Sequence, residues 1–258
     1  MKRWAAFAPW LAVALGVAAA AVWHAPARWL ADAVASRSGQ RLQLADSQGS
    51  LWSGSAQLVL TAGAGSRDAS RLPGRLHWHW GWQQGGALLR LKLDCCSTEP
   101  LGLRVAPGWG RWALALDAAP APLLRLPAAW LTGLGTPFNT LQPAGELWLR
   151  SPEGLRAEAR DGRWTLEGGV QLELRQLSTR LAAVNPLGDY QLDLRAPGQL
   201  QLRTMAGSAL QLSAEGQLLP RLRLQGEASA APGFEAALDN LLNIVGRRQG
   251  ARSLVTIG

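Results

Sequence analysis

Cysteine is almost absent from this chain of 258 residues, which holds only Cys95 and Cys96. Two cysteines in adjacent positions exclude the disulfide framework of a small secreted domain. Because neighbouring residues in a strand point to opposite faces, the pair cannot bind one metal ion together. We expect two partly buried thiols, although an oxidising compartment would also permit a disulfide between these neighbours.

Groups that commonly carry catalysis are also scarce. Histidine occurs three times, and the sequence holds neither a Gly-x-Ser-x-Gly nucleophile elbow nor a glycine-rich phosphate loop before a helix. His77 and His79 would share one strand face, about 7 Å apart, with Asp94 as a candidate third metal ligand. Solvent-facing histidines explain this spacing equally well. The sequence therefore predicts a protein that is not an enzyme and has neither a metal site nor a cofactor.

Charged residues make up only 17% of the chain, and lysine occurs only as Lys2 and Lys92. The net charge of +8 therefore comes from arginines, which are scattered along the chain with Arg247 and Arg248 as the one adjacent pair, and they form no basic helix or aromatic RNA-binding motif. This distribution argues against nucleic acid as a partner. We expect the arginines on a solvated polar face, where an exported domain would meet anionic lipid headgroups.

Residues 4–23 form a long apolar stretch without any charged residue. A helix of this length covers roughly 30 Å, the thickness of a hydrocarbon core. We predict a transmembrane helix here, after a cytoplasmic start at residues 1–3, because Lys2 and Arg3 favour the cytoplasmic side. The residues assigned to this membrane anchor are Trp4, Trp10, Leu11, Leu15, Val22 and Trp23. A cleaved signal peptide is the alternative.

Either reading places the bulk of the chain outside the cytoplasm, and the anchor predicts a single-pass protein of a bacterial inner membrane with a periplasmic domain. Residues 24–40 are predicted as a juxtamembrane helix and linker. Pro26 suits a first helical turn, Trp29 and Val34 fall near one stripe, and Gly39 suits the position after the last turn.

From residue 42 onward, apolar residues recur with a period of two, and glycine and proline interrupt the runs at short intervals. We therefore predict that residues 41–258 form a mainly β domain, a curved antiparallel sheet open like a half-barrel or trough. One face of this sheet would be apolar and available to a partner or to lipid. The residues assigned to this face are Leu76, Trp78, Trp80, Trp82, Leu89, Leu91, Leu93 and Trp112.

Two segments lack the alternation. Residues 120–136 are predicted as a helical break, ended by Gly135 and Pro137. Near the end, residues 233–246 have apolar positions at helical spacing, with Gly246 suited to follow the last turn. A last short strand should follow at residues 253–257.

Three short motifs and their order resemble protein N of the type II (general) secretion pathway. After the apolar start comes GSLWSG at residues 49–54, then PLGDY at 186–190, and finally LLNIVG at 241–246 before a β tail. The motif residues are Trp52, Gly54, Pro186, Leu187, Gly188, Tyr190, Leu241, Leu242 and Gly246. The resemblance implies an accessory role in exporting folded proteins across the outer membrane, beside other secretion subunits, and it lends no catalytic residue.

Two functions remain open at this point. The first is a non-catalytic component of the secretion machinery, held at the inner membrane. The second is a lipid-binding or lipid-transfer groove, since the family is also similar to envelope proteins of the AsmA type. A helix at residues 232–245 packed over the apolar face would favour the first, whereas a continuous exposed apolar strip of more than a few hundred Å² would favour the second.

Overall fold

The computed structural model describes residues 8–83, 86–160, 162–219 and 222–257. Within these ranges, seventeen strands join in one open sheet. All the pairings between these strands are antiparallel. The fold is therefore mainly β with few helices, as the period-two pattern predicts.

The first eight strands include the tryptophan-rich segment. Their bounds are β1 (Leu42–Gly49), β2 (Ser53–Thr61), β3 (Ala69–Arg71), β4 (Leu76–Gln83), β5 (Gly86–Leu93), β6 (Leu101–Gly108), β7 (Arg111–Leu116) and β8 (Ala119–Pro127). The later strands are β9 (Ala144–Ser151), β10 (Leu155–Arg160), β11 (Arg163–Ser178), β12 (Gly188–Arg195), β13 (Gln199–Thr204), β14 (Leu210–Gln217), β15 (Arg223–Ala230), β16 (Arg247–Gln249) and β17 (Arg252–Ile257).

The described helices are short. They are α1 (Ala8–Trp23), α2 (Ala27–Arg37), a 3-10 helix (Ala128–Leu134), α3 (Phe138–Leu141) and α4 (Glu235–Val245). α4 agrees with the predicted residues 233–246 to within two residues at each end, and α2 lies inside the predicted residues 24–40.

The strands follow the chain order across most of the sheet. One half runs from β1 through β2, β4 and β5 to β6, with β3 beside the end of β2. The other half runs from β12 through β13, β14, β15 and β17 to β16. Between the halves, β7 and β8 lie end to end beside β10 and β9, and β11 pairs with both β10 and β9. Three rows of strands, β7 with β8, β9 with β10, and β11, therefore connect the two halves.

Helices cover the apolar face near the two outer parts of the sheet. On the β1–β5 side, Ala27 of α2 is buried with Leu44, Ala56 and Trp78. On the β12–β17 side, the leucines of α4 are buried against β14 and β15. A third cluster joins Leu72, Leu93 and Cys96 to Trp130 of the 3-10 helix. Residues 27–37, predicted as a juxtamembrane linker helix, are therefore part of the core of the sheet.

The prediction of a helix from residue 120 is wrong for its first half. Residues 119–127 form β8 instead, and the 3-10 helix begins only at Ala128. Leu124 and Leu126 alternate along β8 and pack against the Leu72 cluster, so tertiary burial favours the strand. The two expected thiols are also corrected, because Cys95 and Cys96 form a disulfide with each other.

The predicted anchor lies partly outside the described residues, since α1 begins at Ala8 and Trp4 precedes it. Trp10, Leu11, Leu15, Val22 and Trp23 all fall within α1. In the part of the chain that the structure describes, no helix combines the length and the apolar character needed to cross a membrane.

Candidate interaction surfaces

The first motif, residues 49–54, connects the N-terminal helix to the sheet. The indole Nε1 of Trp52 donates a hydrogen bond to the Val22 carbonyl oxygen at 2.9 Å, beside the end of α1. The Leu51 amide donates to the Ala25 carbonyl oxygen at 2.8 Å. The side chain of Trp52 therefore contacts the joint between α1 and α2.

Gly54 leaves room for a buried tryptophan. A Cβ at Gly54 would lie 2.6 Å from the Cζ2 atom of Trp78, so a larger residue there would displace the ring. Trp78 is almost fully buried, and its Nε1 donates to the Ser50 carbonyl oxygen at 3.1 Å. The first motif therefore binds Trp78, at the centre of the apolar face, through the same turn that contacts the end of α1.

The second and third motifs meet in one core cluster, although about fifty residues separate them. Leu187, Tyr190, Leu241 and Leu242 are all buried together there. The Tyr190 hydroxyl donates to the Leu210 carbonyl oxygen at 2.9 Å, and burial followed by the nearby Asp189 charge raises the pKa of Tyr190 well above its ordinary value. These motif residues are thus packing residues that hold α4 against the sheet.

Small residues of the same motifs allow close backbone approach. Gly188, which follows Pro186 and Leu187, has a φ of 145°, and a Cβ there would collide with Ser208. Gly246 is extended, and a Cβ there would collide with the carbonyl oxygen of Leu254 in β17. The first motif thus lies at the joint with α1, and the second and third motifs meet around α4 and the last strand.

The comparison with protein families agrees with this arrangement. A family model described as type II secretion system (T2SS), protein N matches residues 40–256. The chain belongs to this family. Neither the curated proteins nor the solved structures yield a match to the chain.

For a secretion protein N, the surfaces open to partners matter most. The apolar residues assigned from the sequence do share one face, because Leu76 is opposite Leu93, Trp78 opposite Leu91 and Trp80 opposite Leu89. Trp78 and Leu93 are buried, whereas Trp82 and Trp112, nearer the hairpin ends, are exposed. The apolar face is therefore closed beneath α2 and open toward the turns.

The opposite face of the central strands carries a charge network that sequence reasoning missed. Three guanidinium groups surround the Trp148 ring, with their Cζ atoms 4.0 Å (Arg175), 4.4 Å (Arg125) and 5.4 Å (Arg150) from its centroid. The carboxylate of Glu173, itself buried, lies 2.7 Å from both Arg150 and Arg175. The period-two alternation of charged and apolar residues in β9 and β11 was the available signal. These contacts hold the arginine side chains in place on the polar face of the central strands.

The candidate metal ligands His77 and Asp94 form a hydrogen bond with each other. The Nε2 atom of His77 lies 3.1 Å from the Asp94 carboxylate, and this hydrogen bond holds the pKa of the Asp94 carboxyl below its usual range. Within the described residues, no three His, Cys, Asp or Glu side chains are arranged to hold a metal ion.

Two clefts accompany these surfaces. One, of about 510 Å³, lies on the polar face beside His77 and is lined by His79, Arg90 and Lys92, so it is basic. The other, of about 960 Å³, is lined by Arg67, Asp68 and Arg180 together with small and polar residues. Both offer hydrogen bonds and charge to a partner.

Proposed function

We propose that this member of the T2SS protein N family is a non-catalytic, periplasmic component of the type II secretion machinery, anchored in the inner membrane. In this role it assists the export of folded proteins across the outer membrane by holding other secretion subunits beside the anchor. The family itself supports a place in the secretion machinery.

One observation carries the scaffold part of the proposal. Helices of the chain cover part of the apolar face in each half of the sheet, α2 on one side and α4 on the other. An acyl-chain groove would need this face open, whereas a scaffold needs a packed sheet that presents edges and loops.

The anchor part of the proposal rests on the uncharged run at residues 4–23 and on the exposure of apolar side chains along α1. Five of its apolar residues are more than half exposed: Trp10, Val13, Val17, Val22 and Trp23. Exposed apolar side chains along one helix favour a lipid environment over water. The Trp52–Val22 hydrogen bond would hold the sheet close to this helix.

Deletion of the gene in its own host tests the function. We expect loss of type II cargo from the medium and accumulation in the periplasm, restored by the full chain. A variant with residues 1–23 replaced by a cleavable signal peptide should not restore export, because the scaffold loses its high local concentration at the membrane. Normal secretion in the deletion strain would refute the proposal, and rescue by the anchorless variant would refute the anchor alone.

A lipid-binding groove is a second candidate, since Trp82 and Trp112 leave part of the apolar face exposed. Leu103 and Leu116 are opposite each other in β6 and β7, on the same face as the tryptophans and away from α2. A photo-crosslinking residue at Leu116 in living cells separates the two functions. Crosslinks to acyl chains would support the groove, and crosslinks to secretion subunits would support the scaffold.

A further inference from the structure

Three neighbouring hairpins turn at the same end of the sheet. They connect β4 to β5, β6 to β7 and β10 to β11, and their strands pair in the order β4, β5, β6, β7, β10 and β11. We call residues 82–83, 86–87, 108–113, 160 and 162–165 the hairpin rim.

The hairpin rim holds four exposed tryptophans. Their side chains are 85% (Trp82), 103% (Trp109), 57% (Trp112) and 49% (Trp164) exposed. Single exposed aromatic residues are common on protein surfaces, but four at one end of a sheet form a patch.

Strand register places three of these indoles on one face. Trp112 and Trp164 are both directly opposite Ala159, one from each side. Trp82 shares its face with Leu114, because Trp82 is opposite Ala87, Ala87 is opposite Val105, and Val105 is opposite Leu114. Leu114 is two residues after Trp112 in the same strand, so both point to that face. Residues in register share a face, so the indoles continue the apolar face to the tip of the sheet.

Arginines accompany the indoles. Arg160 is opposite Arg111 on one side and Arg163 on the other, and all three are exposed. The tripeptide Gly-Arg-Trp occurs at both turns, as residues 110–112 and 162–164. In the sequence of the three turns, these three arginines are accompanied by one acidic residue, Asp161, so the net charge of the turn segments is positive.

The hairpin rim lies at the same end of the sheet as the joint with α1. β1 and β4 both pair antiparallel with β2, so they run in the same direction. The turn after β1 carries Trp52 and its bond to Val22, and the turn after β4 belongs to the rim. A membrane entered by α1 would lie nearer to this end of the sheet than to the other.

We propose that the hairpin rim docks on the surface of a membrane that contains anionic lipids, with the indoles among the headgroups and the arginines on lipid phosphates. Indole rings prefer the boundary between water and hydrocarbon, and guanidinium groups bind phosphate through paired hydrogen bonds. Each arginine near an anionic surface strengthens binding about fivefold. The proposal rests on the inner-membrane location proposed above, and it assigns the exposed indoles to a surface contact instead of an acyl groove.

Lipid photo-crosslinking from the full chain tests this contact. The chain is reconstituted in nanodiscs of phosphatidylcholine with or without phosphatidylglycerol, and a photo-crosslinking residue replaces Trp109. A matched probe replaces Thr98, which is exposed in the turn at the opposite end of β5 and β6. We expect strong lipid crosslinks from position 109 in discs with phosphatidylglycerol, and few from position 98 or in phosphatidylcholine alone.

Charge variants make the test specific. Replacing Arg111, Arg160 and Arg163 by glutamine should lower the crosslinks at position 109 at least tenfold, and added salt should act in the same direction. Replacing Arg67, Arg71 and Arg180, which are exposed away from the rim, removes the same charge and should have little effect. Circular dichroism spectra identical to that of the unmodified chain establish that each variant is folded.

Three outcomes would overturn the proposal: equal crosslinking from positions 98 and 109, no dependence on phosphatidylglycerol, or crosslinks from position 109 to a second copy of the chain instead of lipid. Failure of the anchor is seen separately, because a chain without an anchor would not remain in nanodiscs at high salt, whatever position 109 contacts. Loss of cargo secretion is likewise measured in the deletion strain, so the scaffold function and the rim contact can fail independently.

Discussion

Gly154 and Gly168 lie against each other where the two halves of the sheet join. Gly168 adopts a φ of 75°, and a Cβ there would collide with the carbonyl oxygen of Gly154. The same oxygen accepts a hydrogen bond from the Gly169 amide at 2.8 Å. The long strands β9–β10 and β11 therefore pass each other in close contact at the level where β9 ends and β10 begins.

Substitution of Gly168 by alanine should destabilise the domain. A left-handed φ costs alanine about 1 kcal/mol, and the collision with Gly154 should add about 1–3 kcal/mol. Gly162 provides a matched control, because its φ of 76° is nearly the same and nothing lies within 4 Å of a Cβ there. Urea unfolding followed by circular dichroism should show a clearly larger loss for Gly168→Ala. Equal losses would mean that the close approach contributes nothing to stability.

The buried Tyr190 hydroxyl should make stability depend on alkaline pH. Burial raises the pKa of Tyr190, so the unfolded chain ionises first as pH rises. This contribution to stability is complete below about pH 10, the unfolded value, and is lost as the pH rises above it. Tyr190 is the only tyrosine in the chain, so ultraviolet absorbance of tyrosinate reports on it alone.

We expect that absorbance to appear together with unfolding and not at the ordinary tyrosine pKa. The variant Tyr190→Phe should lose about 1 kcal/mol at neutral pH, because its hydrogen bond to Leu210 is absent, and should lack this alkaline component. A normal titration in the folded protein would contradict the burial of the hydroxyl.

Truncation of Leu242 should show how strongly α4 holds the second half of the sheet. Leu242 is almost fully buried beside Leu238 and Tyr190, so Leu242→Ala should cost about 2–5 kcal/mol. Ile244 lies on the same helix and is 43% exposed, so Ile244→Ala should cost far less. Urea midpoints measure both losses. Similar small losses for both would show that α4 is not packed on the sheet in solution.

A buried carboxylate on the polar face gives a fourth prediction. Asp193 is only 2% exposed, and its carboxylate forms a 2.6 Å ion pair with Arg203. Arg203→Gln should cost about 1–3 kcal/mol, because the buried charge loses its partner. Arg252 pairs with Glu227 at the surface, so Arg252→Gln should change stability by less than about 1 kcal/mol. Thermal unfolding of the two variants should therefore differ, and equal midpoints would contradict the assignment.

Much of the fold could be predicted because it depends on local period. Leu76, Trp78 and Trp80 alternate with polar residues, and the structure places them on one strand face. The helix at α4 was predictable for the same reason, from apolar residues at helical spacing. The strand that begins near residue 120 could not be predicted, because its prolines and its weak alternation favour neither helix nor strand locally. The packing of Leu124 and Leu126 against the Leu72 cluster decides for the strand.

The sequence by itself determined that this chain makes a mainly antiparallel sheet with one apolar face, because side-chain alternation is a property of each strand alone. The order of its three motifs likewise placed it in the T2SS protein N family. Only the tertiary structure decided which parts of that face are closed, and that Trp52 contacts the end of α1 while Tyr190 meets the helix of the third motif. It also brought Trp112, Trp164 and three arginines together at one end of the sheet. Strand register joins residues that are fifty positions apart, and a single sequence carries no local signal for register between distant strands.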